Sequence, residues 1–343
     1  MSMMWWLALA MQAAAPAPAP ASSAAAPVSG VVDLGANLER FAYPWPVRQM
    51  AVPLASGEAA QVAFMDVRPK GAGNGRTVVL LHGKNFCGAT WEATARALLA
   101  DGYRVVIPDQ IGFCKSSKPV GYQYTLVGMA ATTEAVLRQI GVTRASVVGH
   151  SMGGMLAMRF AIQFPERVER LVLVNPLGLV DRLAQGVPYS SVAKLFEGER
   201  KTNAASIKAY QLRNYYHGTW KPEYDRWVRM AAGMSAGVGR DTVALAQAKT
   251  SQMILTQPVF YELERIIAPT TLMVGGLDET AFGRAEAPEA LRALLPAIPK
   301  LAPAAVRRIK GAKLVRWPDL GHSPQVEAPA RFQQALREAL AGR

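Results

Sequence analysis

Cysteine and histidine are scarce in this chain, two and four residues among 343. They form no Cys/His cluster at metal-ligand spacing, so no structural or catalytic metal is expected. No cofactor is expected. The longest apolar run near the start, Met3 to Met11, falls short of the roughly 20 residues a membrane-crossing helix needs, which argues against a stable membrane span. Charge is thin as well: 18% of residues are charged, with a basic excess of +13. That excess is scattered. Its densest cluster, Arg307-Arg308 with Lys310 and Lys313, has no interleaved aromatics and reads as a solvated face, so nucleic acid is not an expected partner.

What is present is a globular composition, half hydrophobic, in a chain long enough for one large α/β domain with an insertion. Residues 1–30 stand apart: the short apolar run passes into Ala13-Ala14-Ala15 and alternating Ala-Pro up to Pro20. An apolar core, small residues and a Pro-rich spacer have the form of a secretory signal with a tether. No Lys or Arg precedes the run, a departure from that form. The expectation is export, to the periplasm or beyond, with this segment outside the fold.

Beyond it, Met50–Leu54 and Gln61–Val67 flank a Ser56-Gly57 turn and read as a hairpin. Apolar strand-like runs follow at 77–81, 104–107, 145–148 and 171–174, with helical patterns at 91–100, 126–140 and 153–164 between them. Continuous apolar strands alternating with helices mean a parallel sheet covered on both faces. The alternation stops at Pro176, and strands resume at 270–274 and 313–317. The expected organisation is a core in two parts, 31–176 and 266–343, with a helical lid over 177–265.

One turn carries chemistry. Strand 145–148 runs into Gly149-His150-Ser151-Met152-Gly153, the G-x-S-x-G pattern of a serine on a sharp strand-to-helix turn. Glycines at both ends remove Cβ atoms that would collide as the chain reverses. Ligands of open parallel sheets bind beyond the carboxyl ends of the strands. There the sequence places Ser151, then Gly275-Gly276-Leu277-Asp278 after strand 270–274, then Asp319-Leu320-Gly321-His322 after strand 313–317.

With His82-Gly83 and Trp91, Pro108 to Phe113 followed by Lys115-Ser116-Ser117, the serine turn, Gly276-Leu277-Asp278 and Gly321-His322 in order, the chain resembles the capped, esterase-like α/β-hydrolases from about residue 45 onward. The resemblance implies an α/β-hydrolase fold: a mostly parallel sheet, helices on both faces and an inserted lid. It implies Ser151 as nucleophile, His322 as base, Asp278 as the acid orienting it, and backbone N–H groups of Lys84 and Met152 as oxyanion donors. Some relatives carry the acid one strand earlier, where this chain has Asn175, with Asp181 a weaker substitute a few residues on. His82 is expected to order the oxyanion loop, His150 to flank the nucleophile and His217 to belong to the lid. A serine rather than an aspartate at the turn points to acyl transfer, most commonly on a small-molecule ester. C–C bond hydrolysis, cofactor-free haloperoxidase or perhydrolase chemistry, and a non-catalytic small-molecule receptor stand as alternatives. Tyr215, Tyr216 and Trp220 in the lid are candidate substrate contacts, as part of an aromatic group whose helical spacing is more often lid packing than a substrate box. Finally, strands 77–81 and 104–107 are neighbours in the family's sheet, so the loops bearing Cys87 and Cys114 should approach each other. Either a disulfide or two free thiols fits the sequence.

Overall fold

The computed structural model describes residues 28–54, 57 and 59–342. Most of the signal-like segment therefore lies outside the described residues, as does Ser56 of the hairpin turn.

Eight strands form one sheet: β1 (Arg48–Pro53), β2 (Ala59–Val67), β3 (Thr77–Leu81), β4 (Arg104–Pro108), β5 (Ala145–His150), β6 (Val168–Val174), β7 (Thr270–Gly275) and β8 (Lys313–Trp317), in the order β1-β2-β4-β3-β5-β6-β7-β8. β1, β2 and β4 pair antiparallel, and every pairing from β4 through β3 to β8 is parallel. The helices are α1 (Glu92–Ala100), α2 (Leu126–Gln139), α3 (Met152–Gln163), α4 (Val192–Glu199), α5 (Ala204–Asn214), α6 (Asp225–Met234), α7 (Arg240–Thr256), α8 (Glu289–Arg292), α9 (Ile298–Arg308), α10 (Pro324–Glu327) and α11 (Pro329–Ala341).

The apolar runs read from the sequence are the central strands, and their two faces feed two cores. Val79 and Leu81 of β3, Val147 of β5, Leu171 and Leu173 of β6 and Leu272 of β7 pack with Met129 and Leu137 of α2 and Leu156 of α3. The alternate residues Val78, Leu80, Val148, Val172, Val174 and Met273 pack with Leu98 of α1 and Phe332 and Leu336 of α11. A period-2 chain apolar at every position can be buried only between two helical layers.

This packing brings the carboxyl ends of four neighbouring strands side by side. Ser151 follows β5, Asn175 follows β6, Asp278 lies just past β7 and His322 just past β8. Helices α4 to α7 all fall between β6 and β7 in the chain.

Candidate active site

Ser151 sits at φ 56°, ψ −118°, between the last residue of β5 and the first of α3. A residue with a Cβ adopts positive φ at a cost of about 1–3 kcal/mol, so the surrounding packing must impose it. That packing is tight. A Cβ on Gly149 would lie 2.2 Å from the Gly153 carbonyl oxygen, and one on Gly153 would lie 2.2 Å from the Leu81 carbonyl oxygen. The serine N–H donates to the Val174 carbonyl at 2.9 Å, fixing the turn against the end of β6. Its hydroxyl has no hydrogen-bond partner among the described residues.

His322 is fully buried. Its Nδ1 lies 2.8 Å from Oδ2 of the buried Asp278. Because a carboxylate only accepts, Nδ1 carries a proton, and in the neutral ring this tautomer leaves the lone pair on Nε2. Nε2 has no hydrogen-bond partner. The second Asp278 oxygen accepts the Thr280 N–H at 2.7 Å, which holds the carboxylate's orientation.

Asn175 knits these strand ends together. It is fully buried at φ 40°; its Nδ2 donates to the carbonyls of Gly321 (3.2 Å) and His322 (2.9 Å), and its Oδ1 accepts the Gly275 N–H at 3.1 Å. The position read from the sequence as an acid site left vacant is thus a three-way tie between β6, the end of β7 and the histidine loop.

The other histidines have defined states. His82 Nε2 accepts the Gln110 N–H at 3.2 Å, so its Nδ1 is protonated and donates to the Gly83 carbonyl at 2.9 Å. His82 therefore links the loop after β3 to the loop after β4. His150 Nε2 donates to the His322 carbonyl at 2.9 Å, and the two rings lie 4.8 Å apart. Burial holds both His82 and His150 below the usual imidazole range, for His150 well below it with the neighbouring His322 adding to the effect. His217 lies in the segment between α5 and α6, where its Nε2 meets Glu327 Oε1 at 2.5 Å; the other Glu327 oxygen accepts the Gly321 N–H at 2.7 Å.

The amides of Lys84 and Met152 have no acceptor among the described hydrogen bonds, as expected for a free loop amide and for the first turn of a helix. The Lys84 side chain pairs with Glu199 of α4 at 2.8 Å. Cys87 and Cys114 form a disulfide with Cα atoms 5.8 Å apart, which settles the alternative the sequence left open. It takes up the one sulfur of a close His82–Asp109–Cys114 group. The Asp109 carboxylate is meanwhile occupied by the N–H groups of Gly88 and Lys115 and the Tyr43 hydroxyl.

A cavity of about 590 Å³ lies over the loop Lys84–Cys87, walled by α4, α5, α7, the end of α6 and the segment 279–286. Its apolar lining includes Phe86, Leu195, Ile207, Met234, Val243 and Phe282. Of the aromatic candidates, none of Tyr215, Tyr216 and Trp220 lines it. Tyr216 stacks on Tyr224 at 3.8 Å with Trp220 edge-on to both, and the Trp220 indole N–H donates to Asp225 at 2.9 Å. Tyr215 packs on Phe86 and His322. The cavity instead takes Ile207, Tyr210, Gln211 and Asn214, an i, i+3, i+4, i+7 stripe of α5. That spacing was present in the sequence, masked by the louder aromatic pair at the helix end. Arg226 pairs with Glu92 at 3.0 Å. No helix among the described residues is long and apolar enough to cross a membrane.

A parallel sheet with a strained serine after β5, and an aspartate-held histidine past β8, makes this an α/β protein of the serine-elbow kind. The chain belongs to the alpha/beta hydrolase fold family, whose model matches residues 76–329. Among solved structures, a protein of Pseudomonas aeruginosa described as a probable hydrolytic enzyme is 52% identical, at a TM-score of 0.88 over 90% of this chain and 99% of that one. An esterase from Exiguobacterium antarcticum shares the fold at a TM-score of 0.66 and 20% identity, over 85% of this chain and 98% of its own. A 2-hydroxy-6-oxo-6-phenylhexa-2,4-dienoate hydrolase of Burkholderia cepacia is 34% identical over 42% of this chain and 51% of its own length. A 2-hydroxy-6-oxononadienedioate/2-hydroxy-6-oxononatrienedioate hydrolase of Comamonas testosteroni is 33% identical over the same shares. The chain thus spans about half the length of the curated relatives it matches.

Proposed function

We propose that this protein is a serine hydrolase that cleaves carboxylic esters through an acyl-enzyme. The observation that carries the reading is His322: its Nδ1–H is held by Asp278 at 2.8 Å, its Nε2 is buried without a partner, and its backbone carbonyl is bonded by His150, the residue before the strained Ser151. In this reading Nε2 takes the Ser151 proton as Oγ attacks the ester carbonyl. The oxyanion meets the N–H groups of Lys84 and Met152, and Nε2 then gives the proton to the departing alcohol. Water repeats the sequence in reverse, with His322 as base, and releases the acid and Ser151. Asp278 fixes the tautomer and stabilises the imidazolium.

Helices α4 to α7 are the lid in this reading, closing a cavity of a size suited to a small or medium ester. The disulfide supports placement in an oxidising compartment, periplasmic or secreted. Cleavage of a C–C bond in an oxo-dienoate is the second reading, favoured by the names of the relatives at 33–34% identity.

The test is a panel of p-nitrophenyl esters of increasing chain length beside 2-hydroxy-6-oxo-6-phenylhexa-2,4-dienoate, with fluorophosphonate labelling. Ester turnover and labelling that both vanish in Ser151→Ala support the proposal. Faster turnover of the dienoate would shift it to C–C hydrolysis. Absence of labelling in the native protein would leave a small-molecule receptor.

A further inference from the structure

The segment that follows α5, Tyr215 to His217, sits directly on the loop that presents His322. The His322 N–H donates to the Tyr215 carbonyl at 3.0 Å, and a Cβ on Gly321 would lie 2.0 Å from that same oxygen. His217 stands at φ 40°, a conformation that a residue with a Cβ holds only where its surroundings impose it. There it meets Glu327, the last residue of α10, whose side chain is 9% exposed. A carboxylate only accepts: one Glu327 oxygen takes the His217 Nε2–H at 2.5 Å and the other the Gly321 N–H at 2.7 Å. The two oxygens of one carboxylate are thus divided between the segment after α5 and the residue before His322.

The nearby cations leave that carboxylate to these two partners. Lys221 donates to the Glu327 backbone carbonyl at 3.2 Å, and Arg331 pairs with Asp319. The loop's other ties lie mostly on its carbonyls: Asn175 donates to those of Gly321 and His322, His150 to that of His322, and the Leu277 N–H to that of Leu320. Those bonds fasten the loop to the ends of the sheet. Glu327 acts on the amide side instead, where it is the described acceptor of the Gly321 N–H. Moving Gly321 turns the peptide that carries His322, and with it the imidazole held on Asp278. A displacement of about 1 Å in a catalytic group can cost on the order of 100-fold in rate.

We propose that Glu327 is a positioning residue for His322, and that its partner His217 ties this positioning to the seating of the segment after α5. This rests on the ester-hydrolase reading above, in which α4 to α7 are the lid. With the lid seated, the carboxylate is fixed on the Gly321 N–H and the imidazole is aligned; with it lifted, the alignment is lost. In Glu327→Ala, kcat on one p-nitrophenyl ester should fall about 10-fold with KM changed much less. Glu327→Gln, whose amide oxygen can still accept the Gly321 N–H, should recover most of that loss. His217→Ala keeps the Gly321 bond but frees the carboxylate from the lid, and kcat should fall about 3-fold. A merely structural lesion would not move the downfield proton resonance of His322 Nδ1–H, recorded without substrate in the Ser151→Ala background. That resonance should shift with Glu327→Ala and His217→Ala and stay in place with Glu327→Gln. A shifted resonance in a protein that turns over no ester would remove the ester-hydrolase reading and keep the positioning. Should Glu327→Ala fail to fold, His217→Ala carries the test with the same expected shift. An effect of Glu327→Ala that His217→Ala does not share would overturn the tie to the lid. A native kcat or an unmoved resonance in Glu327→Ala, or a Glu327→Gln as slow as Glu327→Ala, would overturn the positioning itself.

Discussion

The ring of Tyr215 lies against the imidazole of His322, centroids 4.7 Å apart and planes 31° from parallel. The backbone repeats the contact, with the His322 N–H donating to the Tyr215 carbonyl at 3.0 Å. The tyrosine hydroxyl in turn accepts from Asn85 at 2.9 Å, one residue past Lys84. Tyr215 is thus the point where α5 touches both the histidine loop and the loop after β3.

Truncating it should show which of those contacts matters. Tyr215→Ala removes the surface that keeps the imidazole in one orientation, and kcat should drop about 10- to 100-fold with KM changed much less, because misorientation of a catalytic group of this kind costs that order. Tyr215→Phe keeps the ring and loses only the bond to Asn85, so most of kcat should survive. Steady-state kinetics on one ester decides it: equal losses in the two variants would place the effect in the hydroxyl.

The disulfide spans a sequence separation of 27 residues and ties the loop after β3 to the loop after β4. Closing a loop of that length is worth roughly 3–4 kcal/mol by restricting the unfolded chain. Replacing both Cys87 and Cys114 by alanine should lower the urea midpoint accordingly. Since both half-cystines also line the cavity, turnover should fall at temperatures where the variant remains folded. A variant with native stability would mean that hydrogen bonds alone hold these loops, His82 to Gln110 first among them.

Much of this was legible in the sequence, and for identifiable reasons. The parallel strands could be read because burial on both faces demands continuous apolar runs, and the Gly149–Gly153 turn because backbone crowding excludes any Cβ there. Asp278 and His322 followed from counting strand ends. The lid resisted the same approach. Tyr216 and Trp220 stand in the sequence as candidate substrate contacts but pack with Tyr224 instead, since aromatic stacking in a lid and aromatic lining of a cavity use the same residues. Glu327 drew no notice because its link to His217 is visible only once the fold brings the two together. The value of Asn175 likewise depends on three backbone groups from distant segments, none of which leaves a mark in the local sequence.

Acid should destabilise the fold through two histidines outside the proposed proton relay. Burial keeps His82 and His150 below the usual imidazole range in the native state, while in the unfolded chain they titrate near about 6.5. The unfolded state then binds more protons as pH falls, so their contribution to stability is full above about pH 6.5 and is lost progressively below it, at up to about 1.4 kcal/mol per pH unit for each group. Urea unfolding at pH 7.5, 6 and 5 should show that slope. Stability that stays flat or rises over the interval would mean that both rings are protonated inside the fold, against the hydrogen bonds that assign them as neutral.

Asn175→Asp is the sharpest probe of how the strand ends are held. The substitution is isosteric and keeps an acceptor for the Gly275 N–H, but it sets an oxygen where Nδ2 now donates to the Gly321 and His322 carbonyls. Two hydrogen bonds are lost and a carboxyl is placed in a fully buried site against two carbonyl oxygens. Leaving the Gly321 carbonyl and the introduced carboxyl oxygen without a donor typically costs about 1–3 kcal/mol each, so the variant should lose about 2–5 kcal/mol in urea titrations. Because those carbonyls belong to the loop that presents His322, kcat should fall beyond what the stability loss explains, and it should not recover when a stabilising additive restores the folded fraction. Asn175→Ala separates the two effects: it removes the same two donor bonds without adding the opposing oxygen, leaving the His322 carbonyl to His150, and should retain more activity than the aspartate. Native turnover in Asn175→Asp would mean that Tyr215, His150 and Glu327 hold the histidine loop without Asn175.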